Sequence, residues 1–213
     1  MTLPGLLQAV TPPGAFAAGL ADTGQAVPSY PEEMLYVASA VAKRQREFML
    51  GRACARAALG PVGHGDAVLG RRPDGAPLWP GGIVGTISHT DGHAVALVAP
   101  DRRFRGLGVD VERRGRVTPD LYRHIFEPEE KARLKAMPPP GRDVMAALLF
   151  SAKEAGCKIW LAVHGGSQPF TGIRITMTGT DFIAQFPARG YRPLQGRAVL
   201  GDGLVLAVAW DAY

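Results

Sequence analysis

Residues 83–112, IVGTISHTDGHAVALVAPDRRFRGLGVDVE, contain three strand-like runs and decide the fold of the chain. The runs cover residues 83–89, 94–99 and 107–112, and each is rich in apolar and β-branched side chains. The two links between them carry Asp, Gly and Pro, which favour turns. Runs joined by such short links predict an antiparallel meander.

Helical patterns lie on both sides of this meander. A basic, alanine-rich segment near residues 39–59 predicts one helix, and residues 143–163 predict a longer, mostly apolar one. Four short strands are predicted to close the chain, near residues 172–177, 182–186, 197–200 and 204–210. The fold class is therefore α+β, with two similar halves that each pack a helix on an antiparallel meander. We place the halves at residues 1–105 and 106–213, packed as one unit with a ligand cleft between them.

The remaining segments are predicted from their turn and capping residues. Residues 1–28 are rich in Pro, Gly and Ala and predict extended coil. Ser29 and Glu32 match a capping box for a short helix. Two more short helices are expected near residues 119–126 and 128–137, and residues 138–141 are expected to break the chain before the long helix.

Composition excludes several classes of protein. The 213 residues include 46% apolar and 20% charged side chains, which excludes a disordered chain. No apolar run approaches the ~18 residues of a membrane span, and the first 20 residues do not resemble a signal peptide. Two cysteines, Cys54 and Cys157, are too few for a disulfide framework, so we expect a cytoplasmic protein with buried thiols. The net charge of +5 is compatible with an anionic partner or with an inert basic surface.

Three carboxylates form a candidate metal site. Asp110 and Glu112 are two apart on a strand and share one face. Such oxygens suit Mg²⁺, although two exposed carboxylates paired with Arg113 or Arg114 explain the pattern equally well. Glu154 lies in the long apolar helix, one turn from Lys158 and next to Lys153. A set of charges in such a helix is expected to face a polar cavity, where Glu154 could complete the site and the lysines could balance phosphate charge.

Ser88 and His89 end the first strand of the meander. Because adjacent strand residues point to opposite faces, they cannot form a nucleophile–base pair, which argues against a serine hydrolase. They could bind phosphate oxygens instead, although a lone histidine is more often structural. Arg44 and Arg52 face broadly the same way on the basic helix, which by itself is typical of a solvated surface, and Arg71 precedes a turn.

Three motifs in order resemble the signatures of the 4′-phosphopantetheinyl transferase superfamily. They are residues 75–80 with 85–89 (GAPLWP and GTISH), residues 108–112 (GVDVE), and residues 150–154 (FSAKE) followed by Lys158. The flanking segments 51–59 and 203–206 are also similar to this family. The resemblance runs from about residue 44 to the C-terminus. It is strongest to the two-lobed single-chain type of bacterial siderophore, polyketide and mycolate pathways.

The resemblance implies a fold, a reaction and a set of site residues. The fold is a pseudo-twofold pair of α+β halves with coenzyme A in the cleft. The reaction moves 4′-phosphopantetheine from coenzyme A to a serine of an acyl or peptidyl carrier protein and releases adenosine 3′,5′-bisphosphate. The implied partners are these two substrates, with no nucleic acid and no membrane, and the enzyme is expected to be a monomer.

Each implied role falls on a position that matches a family motif. Asp110, Glu112 and Glu154 match the Mg²⁺ ligands, and Glu154 is also the expected base, with a metal-bound water as the alternative. The positions expected around the phosphates of coenzyme A are Arg44, Arg52, Arg71, Ser88, His89, Lys153 and Lys158. Asp110 and Lys153 are further expected to contribute to catalysis. Thr86 and residues 155–157 depart from the usual family pattern.

Two other functions remain open from the residues alone. A basic nucleic-acid-binding module could use the arginines of the first long helix and would bind in a strongly salt-dependent way. It leaves the three carboxylates unexplained. A Mg²⁺-dependent phosphohydrolase could use the same carboxylates with water as the nucleophile. Mass spectrometry of a carrier protein after incubation with coenzyme A separates these alternatives from a transferase.

Overall fold

A computed structural model describes residues 1–166, 168–187 and 190–213. The α-helices are α1 (Leu3–Val10), α2 (Pro31–Met34), α3 (Ala42–Leu59), α4 (Tyr122–Ile125), α5 (Pro128–Ala136) and α6 (Pro139–His164). The first five strands are β1 (Phe16–Ala21), β2 (Gly70–Arg71), β3 (Pro77–Leu78), β4 (Ile83–Thr90) and β5 (His93–Pro100). The others are β6 (Phe104–Arg113), β7 (Arg174–Thr178), β8 (Asp181–Gln185), β9 (Leu194–Gly201) and β10 (Leu204–Ala212).

The strands form two main antiparallel sheets and one small hairpin. The first sheet has the order β1-β5-β4, the second has the order β6-β10-β9-β8-β7, and β2 pairs with β3. Helix α3 packs on the first sheet through Leu50, Cys54 and Leu59, and α6 packs on the second through Ala152, Ala155 and Ile159. The α+β class predicted from the sequence is therefore confirmed.

The two main sheets meet where β4 runs beside β6, and we call this junction the seam. The other edge of β6 pairs with β10, with Asp110 opposite Ala207. Across the seam, backbone amides of β6 donate hydrogen bonds to side-chain hydroxyls of β4, in place of the backbone–backbone hydrogen bonds of a regular sheet. Thr86 Oγ1 accepts a hydrogen bond from Val109 N at 3.3 Å, and Ser88 Oγ accepts one from Val111 N at 3.4 Å. The threonine that departs from the usual motif thus keeps the hydroxyl that joins the sheets.

Helix α6 lies directly against the backbone of β6. A Cβ atom built on Gly108 would overlap the carbonyl oxygen of Ala155. Only glycine allows so close an approach, because any side chain would push the helix away from the strand. The seam and α6 are therefore held at a short, defined separation.

Four local predictions are wrong. The third run of the predicted meander, β6, does not join the sheet of β4 and β5 but pairs with β10 in the second sheet. Residues 1–28 contain α1 and β1, because Leu6, Leu7 and Val10 are buried against the second sheet and β1 pairs with β5. Helix α6 begins at Pro139 rather than near residue 143, since proline is tolerated in the first turn of a helix. The capping box forms at Glu127 and Glu130, whereas α2 begins after Tyr30 without a side-chain cap.

Each half contains a helix packed on an antiparallel sheet, but one sheet has three strands and the other has five. The pseudo-twofold relation between the halves stays a prediction, as does their division at residues 105 and 106. None of the described helices is both long enough and apolar enough to cross a membrane. Cys54 and Cys157 are free thiols, and burial raises the pKa of each to about 12.

Candidate active site

Asp110 lies at the centre of the seam and is nearly inaccessible, with 7% of its surface exposed. Its Oδ1 accepts hydrogen bonds from the Ser88 hydroxyl at 3.0 Å and from the Lys158 ammonium at 3.2 Å. Its Oδ2 is buried and has no hydrogen-bond partner within the described ranges. A buried carboxylate oxygen without a donor is costly, so this atom is a candidate ligand for a cation.

Lys158 reaches from α6 to the seam. Its ammonium donates to Ser88 Oγ at 2.9 Å and to the Val109 carbonyl oxygen at 2.6 Å, in addition to Asp110. The structure thus brings together Ser88, Asp110 and Lys158. The side chain is half-buried and lines a cavity, so its charge is available to a ligand at the seam.

Glu112 lies one strand repeat from Asp110, on the same face. Its Oε1 accepts hydrogen bonds from the Thr90 hydroxyl at 2.9 Å and from Arg113 N at 2.8 Å. The Arg113 guanidinium instead donates to the carbonyl oxygen of Asp91, and the nearest cation to Glu112 is Arg116 at 3.8 Å. The carboxylate is therefore held in place by neutral donors, and its one ion-pair partner within the described residues is the exposed Arg116.

Glu154 projects from α6 and is half-buried. The residues that the structure describes form no hydrogen bond to its carboxylate. Burial is the main cause that raises its pKa, Asp110 and Glu112 raise it further, and Lys158 opposes them. Lys158 therefore offsets burial only in part, and Lys153 points elsewhere.

The three carboxylates offer the oxygen ligands that a hard divalent cation prefers. Within the described residues, no group of three His, Cys, Asp or Glu side chains is arranged to hold a metal ion. However, Asp110 offers an unpartnered oxygen, and both seam carboxylates raise the pKa of Glu154. A cation among them would satisfy the oxygen and remove the repulsion. All the donors are oxygens, which Mg²⁺ prefers.

Lys153 is not part of this cluster, although the sequence placed it at the diphosphate. It is fully buried, and its ammonium donates to Glu130 Oε2, Ile125 O and Phe170 O at 2.6, 2.8 and 3.0 Å. These acceptors use all three donors of the ammonium. The prediction that Lys153 contacts coenzyme A is therefore corrected, because in a helix it points about 100° away from Glu154.

His89 lies on the face of β4 opposite Ser88, as strand alternation requires. Its Nε2 contacts the Arg44 guanidinium, and its Nδ1 lies 3.6 Å from the Glu47 carboxylate. Burial is the main cause that lowers the pKa of His89, while Glu47 opposes it and Arg44 adds to it. A half-buried histidine between a cation and a carboxylate can gain a proton when an anion binds beside it.

A cavity of about 330 Å³ opens beside this histidine. It brings together four of the predicted phosphate-binding side chains, namely Arg44, Arg52, Arg71 and His89. We call it the cationic cavity. Glu47 is its one acidic lining residue among the described positions, so the cavity is suited to an anionic ligand.

Arg52 is the most unusual side chain of the cationic cavity. Only 3% of its surface is exposed, and one guanidinium nitrogen donates to Gly70 O at 3.1 Å. The other two guanidinium nitrogens are buried without a hydrogen-bond partner in the described part of the chain. Burial lowers the pKa of Arg52, which reports the unfavourable environment of this charge.

A second cavity of about 600 Å³ lies on the other side of the β2–β3 hairpin. Arg71, Gly75, Pro77 and Ile87 line both cavities, so the two are direct neighbours. The second cavity also reaches Lys158, and its walls include Trp79, Thr86, Leu107 and Leu161. A long ligand could place a charged end in the cationic cavity and an uncharged end here.

Three residues of this arrangement were missed from the sequence. Thr90 could have been found, because it continues the same-face series of Thr86 and Ser88 on β4. Glu47 also had a signal, since it lies three residues from Arg44 on the helix. Glu130, the partner of Lys153, had none, because the two residues are 23 apart in sequence.

Comparisons with known proteins agree with these features. Residues 31–99 match the model of the 4′-phosphopantetheinyl transferase N-terminal domain, and residues 106–209 match the model of the 4′-phosphopantetheinyl transferase superfamily. The chain is 34% identical to 4′-phosphopantetheinyl transferase Npt of Nocardia iowensis, across 96% of this chain and 100% of that protein. It is 38% identical to 4′-phosphopantetheinyl transferase Svp of Streptomyces mobaraensis, across 83% and 76%. A holo-[acyl-carrier-protein] synthase structure from Thermotoga maritima matches with a TM-score of 0.42 and 20% identity, across 51% and 63%.

Proposed function

Because the chain belongs to the 4′-phosphopantetheinyl transferase superfamily, we propose that its cleft binds coenzyme A and that its seam carboxylates bind Mg²⁺. The protein is a phosphopantetheinyl transferase that acts on carrier proteins. In the proposed reaction, the acceptor is a serine of an acyl or peptidyl carrier protein. The released product is adenosine 3′,5′-bisphosphate.

The buried, unpaired guanidinium of Arg52 is the observation that carries this proposal. The Phe48 ring, 4.8 Å away, and the charge of Glu33 compensate this charge only in part, so a ligand that pairs with it would be stabilised. A phosphate group supplies both the opposite charge and the acceptors that Arg52 lacks. Arg44, Arg71 and His89 line the same cavity, so the nucleotide end of coenzyme A, with its extra phosphate, fits here.

The two neighbouring cavities support one direction for coenzyme A. With the nucleotide phosphates in the cationic cavity, the diphosphate comes to the seam, near His89, Ser88 and Lys158. The pantetheine arm then extends into the cavity walled by Trp79 and Leu107. The reacting phosphorus would lie beside Lys158 and the three carboxylates, which is where the proposed chemistry needs it.

Asp110, Glu112 and Glu154 would hold Mg²⁺ at this point. When bound, the ion neutralises the charge of the diphosphate oxygens and aligns the phosphorus with the attacking hydroxyl. Ser88 and Thr90 keep Asp110 and Glu112 oriented through their hydroxyl hydrogen bonds. Lys158 adds a positive charge on the leaving-group side without any covalent step.

Glu154 would act as the base. The serine hydroxyl of the carrier gives its proton to Glu154 as its oxygen attacks the phosphorus attached to pantetheine. The bond between that phosphorus and the bridging oxygen breaks, and adenosine 3′,5′-bisphosphate leaves with the electron pair. Burial raises the pKa of Glu154, which makes it a stronger base than an exposed glutamate.

Mass spectrometry tests the proposed reaction directly. The protein, coenzyme A, MgCl₂ and an apo carrier protein are incubated together. A transferase adds one phosphopantetheine group to the carrier serine and releases adenosine 3′,5′-bisphosphate in equal amount. Free phosphopantetheine with an unmodified carrier would identify a hydrolase and contradict the proposal.

Coenzyme A binding is expected to strengthen as the pH falls through the pKa of His89. Phosphate oxygens bind the protonated imidazole better than the neutral one, and burial lowers the pKa of the free side chain. The contribution of His89 is therefore present below this pKa and lost above it. Calorimetry between pH 5 and 8 without metal should show proton uptake on binding. His89→Ala should show less uptake, since only the phosphates of the ligand then titrate, and equal uptake by both proteins would contradict the assignment.

Carrier recognition is expected to depend on Arg113 and Arg116, which are exposed beside Glu112. Carrier proteins are usually acidic, so these charges would steer them to the seam. Arg113→Glu combined with Arg116→Glu should lower kcat/KM for the carrier by about 10-fold or more at low salt. The affinity for coenzyme A should not change. Arg102→Glu combined with Arg103→Glu is the control, and an equal loss there would show that only net charge matters.

A further inference from the structure

The buried ammonium of Lys153 takes no part in the proposed reaction, yet it lies one residue from the proposed base. Its three hydrogen bonds reach three separate elements. They are the end of α4 at Ile125 O, helix α5 at Glu130, and the turn before β7 at Phe170 O. Lys153 therefore ties the middle of α6 to the rest of its half.

Glu130 extends this connection. Its Oε2, which accepts from Lys153, also accepts from Glu127 N at 2.9 Å and so completes the capping box of α5. Its Oε1 lies 3.4 Å from Ile175 N on β7. The side chain is 5% exposed. One ion pair thus fixes α6 relative to α4, α5 and β7 at a single level of the helix.

The carboxylates of the seam differ in how they are held. Asp110 is held by Ser88 and Lys158, and Glu112 by Thr90 and a backbone amide. Glu154 has no such hydrogen bond within the described residues, so its place depends on the backbone of α6 alone. That backbone is fixed on both sides of Glu154, by Lys153 before it and by the contact between Ala155 and Gly108 after it.

We propose that Lys153 and Glu130 are positioning residues, which set the distance of Glu154 from Asp110 and Glu112 and so control Mg²⁺ binding and proton transfer. This inference rests on the proposed function of the seam. A shift of about 1 Å in a reacting group can lower a rate by about 10²-fold. Side chains that orient ligands typically contribute about 10- to 100-fold in metal affinity or activity.

A purely structural role is the competing explanation. Removing one partner of a buried pair leaves the other charge uncompensated. Single variants would therefore lose stability whether the pair positions Glu154 or only stabilises the fold. Removing both charges together often restores stability. Lys153→Met combined with Glu130→Leu is therefore the informative variant, because it separates the fold from the position of Glu154.

The test uses the full chain and four measurements. They are the Tm, coenzyme A affinity by calorimetry without metal, Mg²⁺ affinity by calorimetry with saturating coenzyme A, and kcat. For the double variant we expect a folded protein with a Tm below that of the wild type, because Ile125 O and Phe170 O lose their donor. Coenzyme A affinity should be unchanged. We expect Mg²⁺ affinity and kcat each to fall by about 10-fold or more. Ser151→Ala, on the same helix and also buried, is the matched control and should leave Mg²⁺ affinity unchanged.

Two results overturn the inference. One is a folded double variant with wild-type Mg²⁺ affinity and kcat. The other is a loss of coenzyme A affinity at constant Mg²⁺ affinity, which would mean that Lys153 contacts the diphosphate. If the double variant does not fold, Lys153→Met combined with Glu130→Gln replaces it with the same expected results, since this pair removes both charges and keeps the shape of Glu130. Failure of the proposed function itself would show separately, as an unmodified carrier protein after incubation of the wild-type protein with coenzyme A and MgCl₂.

Discussion

Glu154→Gln is expected to lower kcat by about 10²-fold or more, which is the usual size of a general-base contribution. The amide keeps one oxygen that can bind a cation, but it cannot accept the serine proton. The arginines and the histidine of the cationic cavity are untouched, so coenzyme A affinity should stay the same. Single-turnover kinetics with a saturating carrier and saturating MgCl₂ measures the chemical step directly.

The control for this variant is Glu129→Gln. Its carboxylate is 76% exposed on α5 and pairs only loosely with Arg174 at 3.6 Å, so the same chemical change there should not affect kcat. Mg²⁺ calorimetry on Glu154→Gln separates loss of the base from loss of a ligand. Near-wild-type turnover at saturating MgCl₂ would show that a water molecule, rather than Glu154, takes the proton.

The part of the site on strands could be predicted because strand geometry has a period of two. This period places Ser88 and His89 on opposite faces of β4 and places Asp110 and Glu112 on the same face of β6. The structure has both features. The short link with turn residues between β4 and β5 also predicts their antiparallel pairing, whereas the sequence did not show that β6 joins the second sheet. Features that depend on local geometry, such as the alternation of side chains along a strand, could be predicted from the sequence.

The part of the site on α6 could be predicted less well, because burial and distant partners decide it. Lys153 and Glu154 are both surrounded by apolar residues in the sequence, and nothing there shows which one faces the cleft. The answer depends on Glu130, which comes from a separate helix. In the same way, the pKa of Glu154 is raised mainly by burial, which the sequence does not show. Helix α1 was missed because packing of Leu6 and Val10 outweighs the unfavourable Pro4 and Gly5.

Arg52→Met is expected to have opposite effects on stability and on binding. Arg52 holds two buried guanidinium nitrogens without partners in the described structure, and each such group costs about 1–3 kcal/mol. Methionine fills a similar space without charge, so the free protein should gain about 1 kcal/mol or more in unfolding free energy. Coenzyme A affinity should fall by about 10- to 100-fold, because charge-assisted hydrogen bonds to a phosphate contribute about 1.5–3 kcal/mol.

Arg56 offers the matched comparison, four residues further along the same helix. It is also buried, but it donates two hydrogen bonds to Glu33, at 2.8 and 2.9 Å, and one to Pro28 O. Arg56→Met leaves Glu33 buried and unpaired, so it should destabilise the protein by about 3–5 kcal/mol. Denaturant unfolding measures both variants, and calorimetry measures coenzyme A binding for Arg52→Met. If Arg52→Met instead destabilised the free protein as much as Arg56→Met does, Arg52 would be a structural residue. The unpaired charge of Arg52 would then no longer support a phosphate ligand in the cationic cavity.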